Sequence, residues 1–222
     1  MTGITDDGHA DTPDGSGNTD PAGSAKREQI LKGAGAIFLA DGYEGASMSR
    51  IAQMAGVSKG TLYNHFDGKA SLFSAFFEEQ VRCRLSPIET LARSNEQSVR
   101  VTLTRFAEMT VHLLISPVAL GLYRIIVSEV DKFPHLADTF WRYGFGRTLS
   151  NLTEYLARSE TQGELDIADP SLSAEQFLLM CQARIIQRRR FGLPVDDSDA
   201  AIAEFAAFTA DSFLKIYEPR HQ

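Results

Sequence analysis

The chain has 222 residues, 43% of them hydrophobic and 23% charged, with a net charge of −7. This is an ordinary globular composition, long enough for one large or two small domains, and no apolar run approaches the ~20 residues of a membrane span. Cys83 and Cys181 lie far apart and outside any metal-ligand spacing, so reduced thiols in a cytoplasmic protein are expected, not a disulfide framework or a metal site.

Residues 1–23 hold five Asp, no Lys or Arg, and almost no large apolar side chain. Such a segment cannot bury enough surface to offset its ordering entropy, so a disordered acidic tail is expected there, with no signal peptide. Residues 24–70 reverse the balance, with six basic side chains against four acidic. A helix is expected from Ser24 as N-cap, with Ile30, Ala34, Ile37 and Phe38 on one face and Gly42 at its end. Gly33 and Gly35 follow no strand, so they do not form a nucleotide loop. Ser47 opens a short helix with Met48, Ile51 and Ala52 inward. Ala55-Gly56-Val57 makes a sharp turn, and Ser58 caps a second short helix that runs to about His65. Two short helices around a glycine corner, the second led by small polar residues, suit insertion into a DNA major groove.

A longer helix is expected from Lys69, striped by Phe73, Phe77, Val81 and Leu85, and kinked or ended by Pro87. Further helices are expected at about 97–115, 118–131, 136–159, 173–190 and 198–217, separated by Pro- and Gly-bearing breaks. Nothing alternates with period two, so the fold class is all-α. Within 136–159, Trp141, Tyr143 and Phe145 alternate with Arg142, Gly144 and Gly146, and cannot share one α-helical face. The residues allow a tight core or an apolar pocket there, with Phe106, Met109, His112, Leu122, Trp141 and Phe145 as walls. Stripes at Phe177, Cys181 and Ile185 and at Phe205, Thr209 and Phe213 allow burial in the monomer or a dimer surface. Arg188, Arg189 and Arg190 complement the dipole at a helix end. Glu108, Glu129 and Asp131 leave a cationic ligand open. No nucleophile elbow, carboxylate pair or phosphate loop appears, so neither a catalytic residue nor a cofactor is expected.

The string from Ile51 to Phe66, Ile-Ala-Gln-Met-Ala-Gly-Val-Ser-Lys-Gly-Thr-Leu-Tyr-Asn-His-Phe, followed by Lys69 and Leu72-Phe73, resembles the TetR/AcrR family of transcriptional regulators. The likeness is dense over residues 28–77. Leu122-Tyr123-Arg124 through Glu129, with Phe133-Pro134, resembles an AefR-like regulatory domain. The resemblance implies a helix-turn-helix DNA-binding domain at 24–70. It implies a helical ligand-binding and dimerisation domain at 71–222. It further implies a homodimeric repressor that a small apolar or amphipathic effector releases from a palindromic, double-stranded operator. The DNA contacts it implies are Ser47, Ser49, Ser58, Lys59, Gly60, Thr61, Tyr63, Asn64, His65 and Lys69, and the dimer a four-helix bundle. Family members often carry an acid where Arg50 stands, so a capping box is lost, and Arg50 is left for phosphate or solvent. A helical enzyme and an effector-independent DNA-binding protein are the alternatives.

Overall fold

The computed structural model describes residues 21–93 and 97–219, and among them only helices and connections occur. Most of the expected acidic tail lies outside the described residues. Its end does not: α1 starts at Pro21 and runs to Gly45, so Ser24 sits inside the helix and caps nothing. Gly42, at φ 76°, breaks the regular helix where an end was expected. Short helices α2 (Met48–Met54) and α3 (Lys59–His65) follow, capped by Ser47 and Ser58. Helix α4 (Lys69–Arg93) does not stop at Pro87. Beyond it Ile88, Leu91 and Ala92 are buried, and their burial outweighs one missing backbone hydrogen bond.

The rest comprises α5 (Val99–Ile115), α6 (Pro117–Glu129), α7 (His135–Phe140), a π-helical turn at Trp141–Phe145, α8 (Gly146–Thr161), α9 (Pro170–Cys181), α10 (Ile185–Arg190) and α11 (Asp199–Tyr217). The π turn accounts for the odd aromatic spacing. Gly146 N–H reaches back five residues to the Trp141 carbonyl, and a Cβ on Gly146 would stand 2.7 Å from that oxygen. The expected single helix over 173–190 is two helices. Arg184 adopts φ 54° between them, which breaks the i, i+4 stripe from Cys181 to Ile185.

Two main cores form. One gathers Ile30, Phe38, Ile51, Leu62, Phe66 and Phe73 with Leu122, Ile125, Ile126 and Leu136, joining α1–α3 and the first half of α4 to α6 and α7. The other joins the second half of α4 to α5, α8, α9 and α11. Fully burying one such side chain is worth about 1.5–3 kcal/mol, so α4, threading both, ties the molecule together.

Candidate nucleic-acid interface and effector cavity

The corner between α2 and α3 is held by two backbone bonds, Gly56 N–H to Gln53 O at 3.1 Å and Val57 N–H to Ala52 O at 3.0 Å. This pair is a Schellman motif, and it needs the positive φ that Gly56 adopts, 63°. The Gln29 amide from α1 donates to Ala55 O at 2.6 Å and satisfies another carbonyl of that end. Ser58 Oγ accepts from Thr61 N–H at 3.0 Å and shares a hydrogen bond with Thr61 Oγ1 at 2.8 Å. Leu62 and Phe66 are buried beneath α3, while Lys59, Gly60, Tyr63 and Asn64 are exposed on its outer side. Thr61 and His65 are half-buried, and Ser49 is exposed on α2. The outer face thus joins a cation, a phenol and an amide to a bare stretch of backbone, which is chemistry for phosphates and base edges.

Three expected contacts sit differently. Lys69 is engaged inside the protein: its ammonium donates to the carbonyls of Tyr43 (2.7 Å), Ala46 (3.1 Å) and Glu44 (3.2 Å), and lies 4.6 Å from the Tyr43 ring centre. All three of its donors are used, so it closes the chain after the Gly42 break instead of facing outward. Arg50 pairs with Asp41 at 2.6 Å, which is neither of its expected roles. Ser47 Oγ accepts from Arg50 N–H at 3.3 Å and serves as the α2 cap.

The same region carries a junction that the sequence did not reveal. Glu129 ends α6, where an acid meets the negative end of the helix. Its carboxylate accepts from the N–H groups of Tyr43 (2.7 Å) and Glu44 (2.5 Å), next to Gly42. Lys132 pairs with Glu44 at 2.7 Å, and His135 Nε2 lies 2.8 Å from the Tyr43 hydroxyl. Burial, with Glu129 nearby, raises the Tyr43 phenol above its ordinary pKa. Among the described residues, Glu108, Glu129 and Asp131 form no acidic cluster that could hold a metal ion, and none of them lines the apolar cavity between α4 and α6.

A cavity of about 110 Å³ lies among α4, α5, α6, the π turn, α8, α9 and α10. Leu122 and Phe145 line it, as expected, together with Gly144, Phe77, Leu85, Ile88, Tyr123 and Phe140. The other expected walls are elsewhere. Phe106 is buried against Phe177 in the core, and Met109 packs on that core. His112 is exposed, 4.0 Å from Asp199, and Trp141 is 55% exposed. The polar atoms at the cavity come from residues not expected there, among them Arg84, Thr110, Gln182 and Arg190.

The expected dimer stripe faces inward. Phe177, Cys181, Ile185, Thr209 and Phe213 are buried within the protomer, and Phe205 is half-buried. Burial raises the Cys181 thiol far above its ordinary pKa, which keeps it unreactive. The exposed apolar residues of α9 and α11 are Leu172, Leu179, Phe208 and Ile216.

Comparison with known proteins matches both ends of the chain. The description "Bacterial regulatory proteins, tetR family" fits residues 30–76, and "AefR-like transcriptional repressor, C-terminal domain" fits residues 101–219. The transcriptional activator FasR of Mycolicibacterium smegmatis is 34% identical over 90 residues, 39% of this chain and 41% of that protein. The repressor AcnR of Corynebacterium diphtheriae is 41% identical over 56 residues, 25% of this chain and 30% of that one. The chain therefore matches less than half the length of either relative. Among solved structures, a TetR-family regulator from Mesorhizobium loti aligns with TM-score 0.80 at 26% identity, covering 90% of this chain and 100% of that one. The flavonoid-responsive regulator FrrA aligns with TM-score 0.73 at 29% identity, covering 89% and 100%.

Proposed function

The chain belongs to the tetR family of bacterial regulatory proteins, whose members are transcriptional regulators and not enzymes, and from that premise we propose that it is a cytoplasmic repressor released from DNA by a small molecule. The observation that carries the reading is the outer face of α3: Lys59, Gly60, Tyr63 and Asn64 stand out from a short helix anchored by Leu62 and Phe66. Two such helices, one per subunit of a homodimer, meet half-sites about 34–36 Å apart on a palindromic operator. The apolar residues left exposed on α9 and α11 are the surface proposed to join the subunits. The cavity between α4 and α6 is the proposed effector site, a reading supported by the flavonoid response of the similar regulator FrrA.

The test is a salt titration of the full-length protein on DNA from upstream of its own gene. Lys59→Ala is expected to weaken binding to all operator variants and to flatten the slope of log K on log salt by about 1. Tyr63→Phe is expected to weaken binding with the slope retained. Unchanged affinity and slope for both variants would remove α3 from the interface. Because one relative is named an activator, transcription from the bound promoter is measured in parallel, and a rise with added protein overturns repression without touching the DNA reading.

A further inference from the structure

The cavity wall is chemically lopsided. Most of it is apolar, as at Leu85, Ile88, Leu122 and Phe145, yet two guanidinium groups, Arg84 and Arg190, line it and no carboxylate does. Several other arginines pair with acids: Arg50 with Asp41, Arg100 with Asp211, Arg147 with Glu89. The contrast is sharpest between neighbours on α10. Arg189 pairs with Asp197 at 3.3 Å, while Arg190 turns to the cavity and stacks 4.0 Å from the centre of the Tyr123 ring. Among the described residues no acid pairs with Arg190. Its half-buried position pulls its pKa below the ordinary guanidinium value through desolvation. The group is nonetheless a cation at neutral pH. A desolvated, unpaired cation is costly, and a bound anion removes that cost. A second signal is independent of charge. Thr110 lines the same cavity and is almost wholly buried, and its hydroxyl has no hydrogen-bond partner.

We propose that the effector is an organic carboxylate with a small apolar body, its carboxylate held by the Arg190 fork and its body against the apolar wall. The inference rests on the reading of this cavity as the effector site. A planar guanidinium matches a carboxylate with two parallel N–H···O bonds. The stacked Tyr123 ring limits how the fork can turn. The volume sets the body. A dry apolar cavity of about 150 Å³ takes benzene, so about 110 Å³ limits the apolar body to a single ring or a short alkyl chain at most, with the charged end toward the opening.

The protein carries its own reporter. Trp141 is the one tryptophan in the chain, and its ring lies 5.4 Å from that of Phe145, which lines the cavity. Its fluorescence is followed as the intact protein is titrated with benzoate and hexanoate, each against its neutral counterpart, benzyl alcohol and 1-hexanol. The acids are expected to bind at least about tenfold more tightly than the alcohols. Arg190→Gln is expected to abolish that preference while leaving alcohol affinity unchanged, and Arg190→Lys to keep part of it. Thr110→Val is expected to weaken the acids several-fold. Alcohols binding as well as acids in the unaltered protein would overturn the carboxylate reading and leave the cavity as an effector site; this comparison needs no variant to fold. A preference that survives Arg190→Gln would overturn the role of Arg190. No saturable response to any of the four compounds at millimolar concentration would reject the cavity itself, and with it the effector reading.

Discussion

Lys69 shows how one side chain turns a motif into architecture. The family string places it just after α3, and its position opening α4 suggests a phosphate contact. Its ammonium instead gathers three carbonyls left open by the Gly42 break. Charge-assisted hydrogen bonds of this kind are worth about 1.5–3 kcal/mol. Lys69→Met is therefore expected to lower stability by about 2 kcal/mol, read as a fall in melting temperature, with the salt slope of DNA binding unchanged. A normal melting temperature with a shallower slope would return Lys69 to the DNA. Gly146 is a second such residue. A side chain there meets the Trp141 carbonyl and the indole ring, so Gly146→Ala is expected to cost about 1–3 kcal/mol in a thermal melt. The sequence exposed both positions, but not their roles, because each role depends on an atom brought in by chain geometry and not by side-chain type.

Helix α6 links the two sites. Leu122, Tyr123 and Ile126 face the cavity, and Glu129, at the end of the same helix, holds the backbone beyond Gly42. On the proposed effector reading, a shift of α6 would thereby be passed to the chain that enters α2. Allosteric couplings commonly amount to about 1–3 kcal/mol. Glu129→Gln is expected to leave Trp141-detected ligand affinity intact while lowering the ligand's effect on operator affinity at least about fivefold. Full coupling in that variant would place transmission elsewhere. Elements were legible where local rules act alone: the Ser47 and Ser58 caps and the Gly56 corner follow from residue type. Pro87 inside α4 and the Arg184 break misled the pattern, since packing of Ile88 and Leu91 overrides one lost hydrogen bond and a positive φ on arginine has no sequence signature. The cavity was half legible. Leu122, Gly144 and Phe145 stood out by apolarity and spacing, whereas Arg190 read as an ordinary helix-end cation.

For the whole molecule, helical periodicity located apolar residues but not the partner each one meets. The stripe from Phe177 to Cys181 is as apolar as any interface, yet it faces its own protomer. The proposed subunit contact would then fall to the outer sides of α9 and α11, where Leu179 and Phe208 are exposed. Leu179→Glu combined with Phe208→Glu is expected to convert a dimer into a monomer at micromolar concentration, measured by sedimentation, with operator binding lost and melting temperature nearly kept, because both residues are exposed. A dimer that survives both changes would move the contact to another face.

The core that α1–α3 share with α6 and α7 bears on how such a protein diversifies. Leu122, Ile125, Ile126 and Leu136 plug the underside of the reading head. A recombination joint at residue 70 would hand a foreign head an underside cut for a different plug, and leave Glu129 facing a loop it does not fit. The head is therefore not an interchangeable cassette. On the proposed reading of α3, a change of operator would come most readily from single changes at Lys59, Tyr63 and Asn64, which are exposed and would leave the buried core undisturbed.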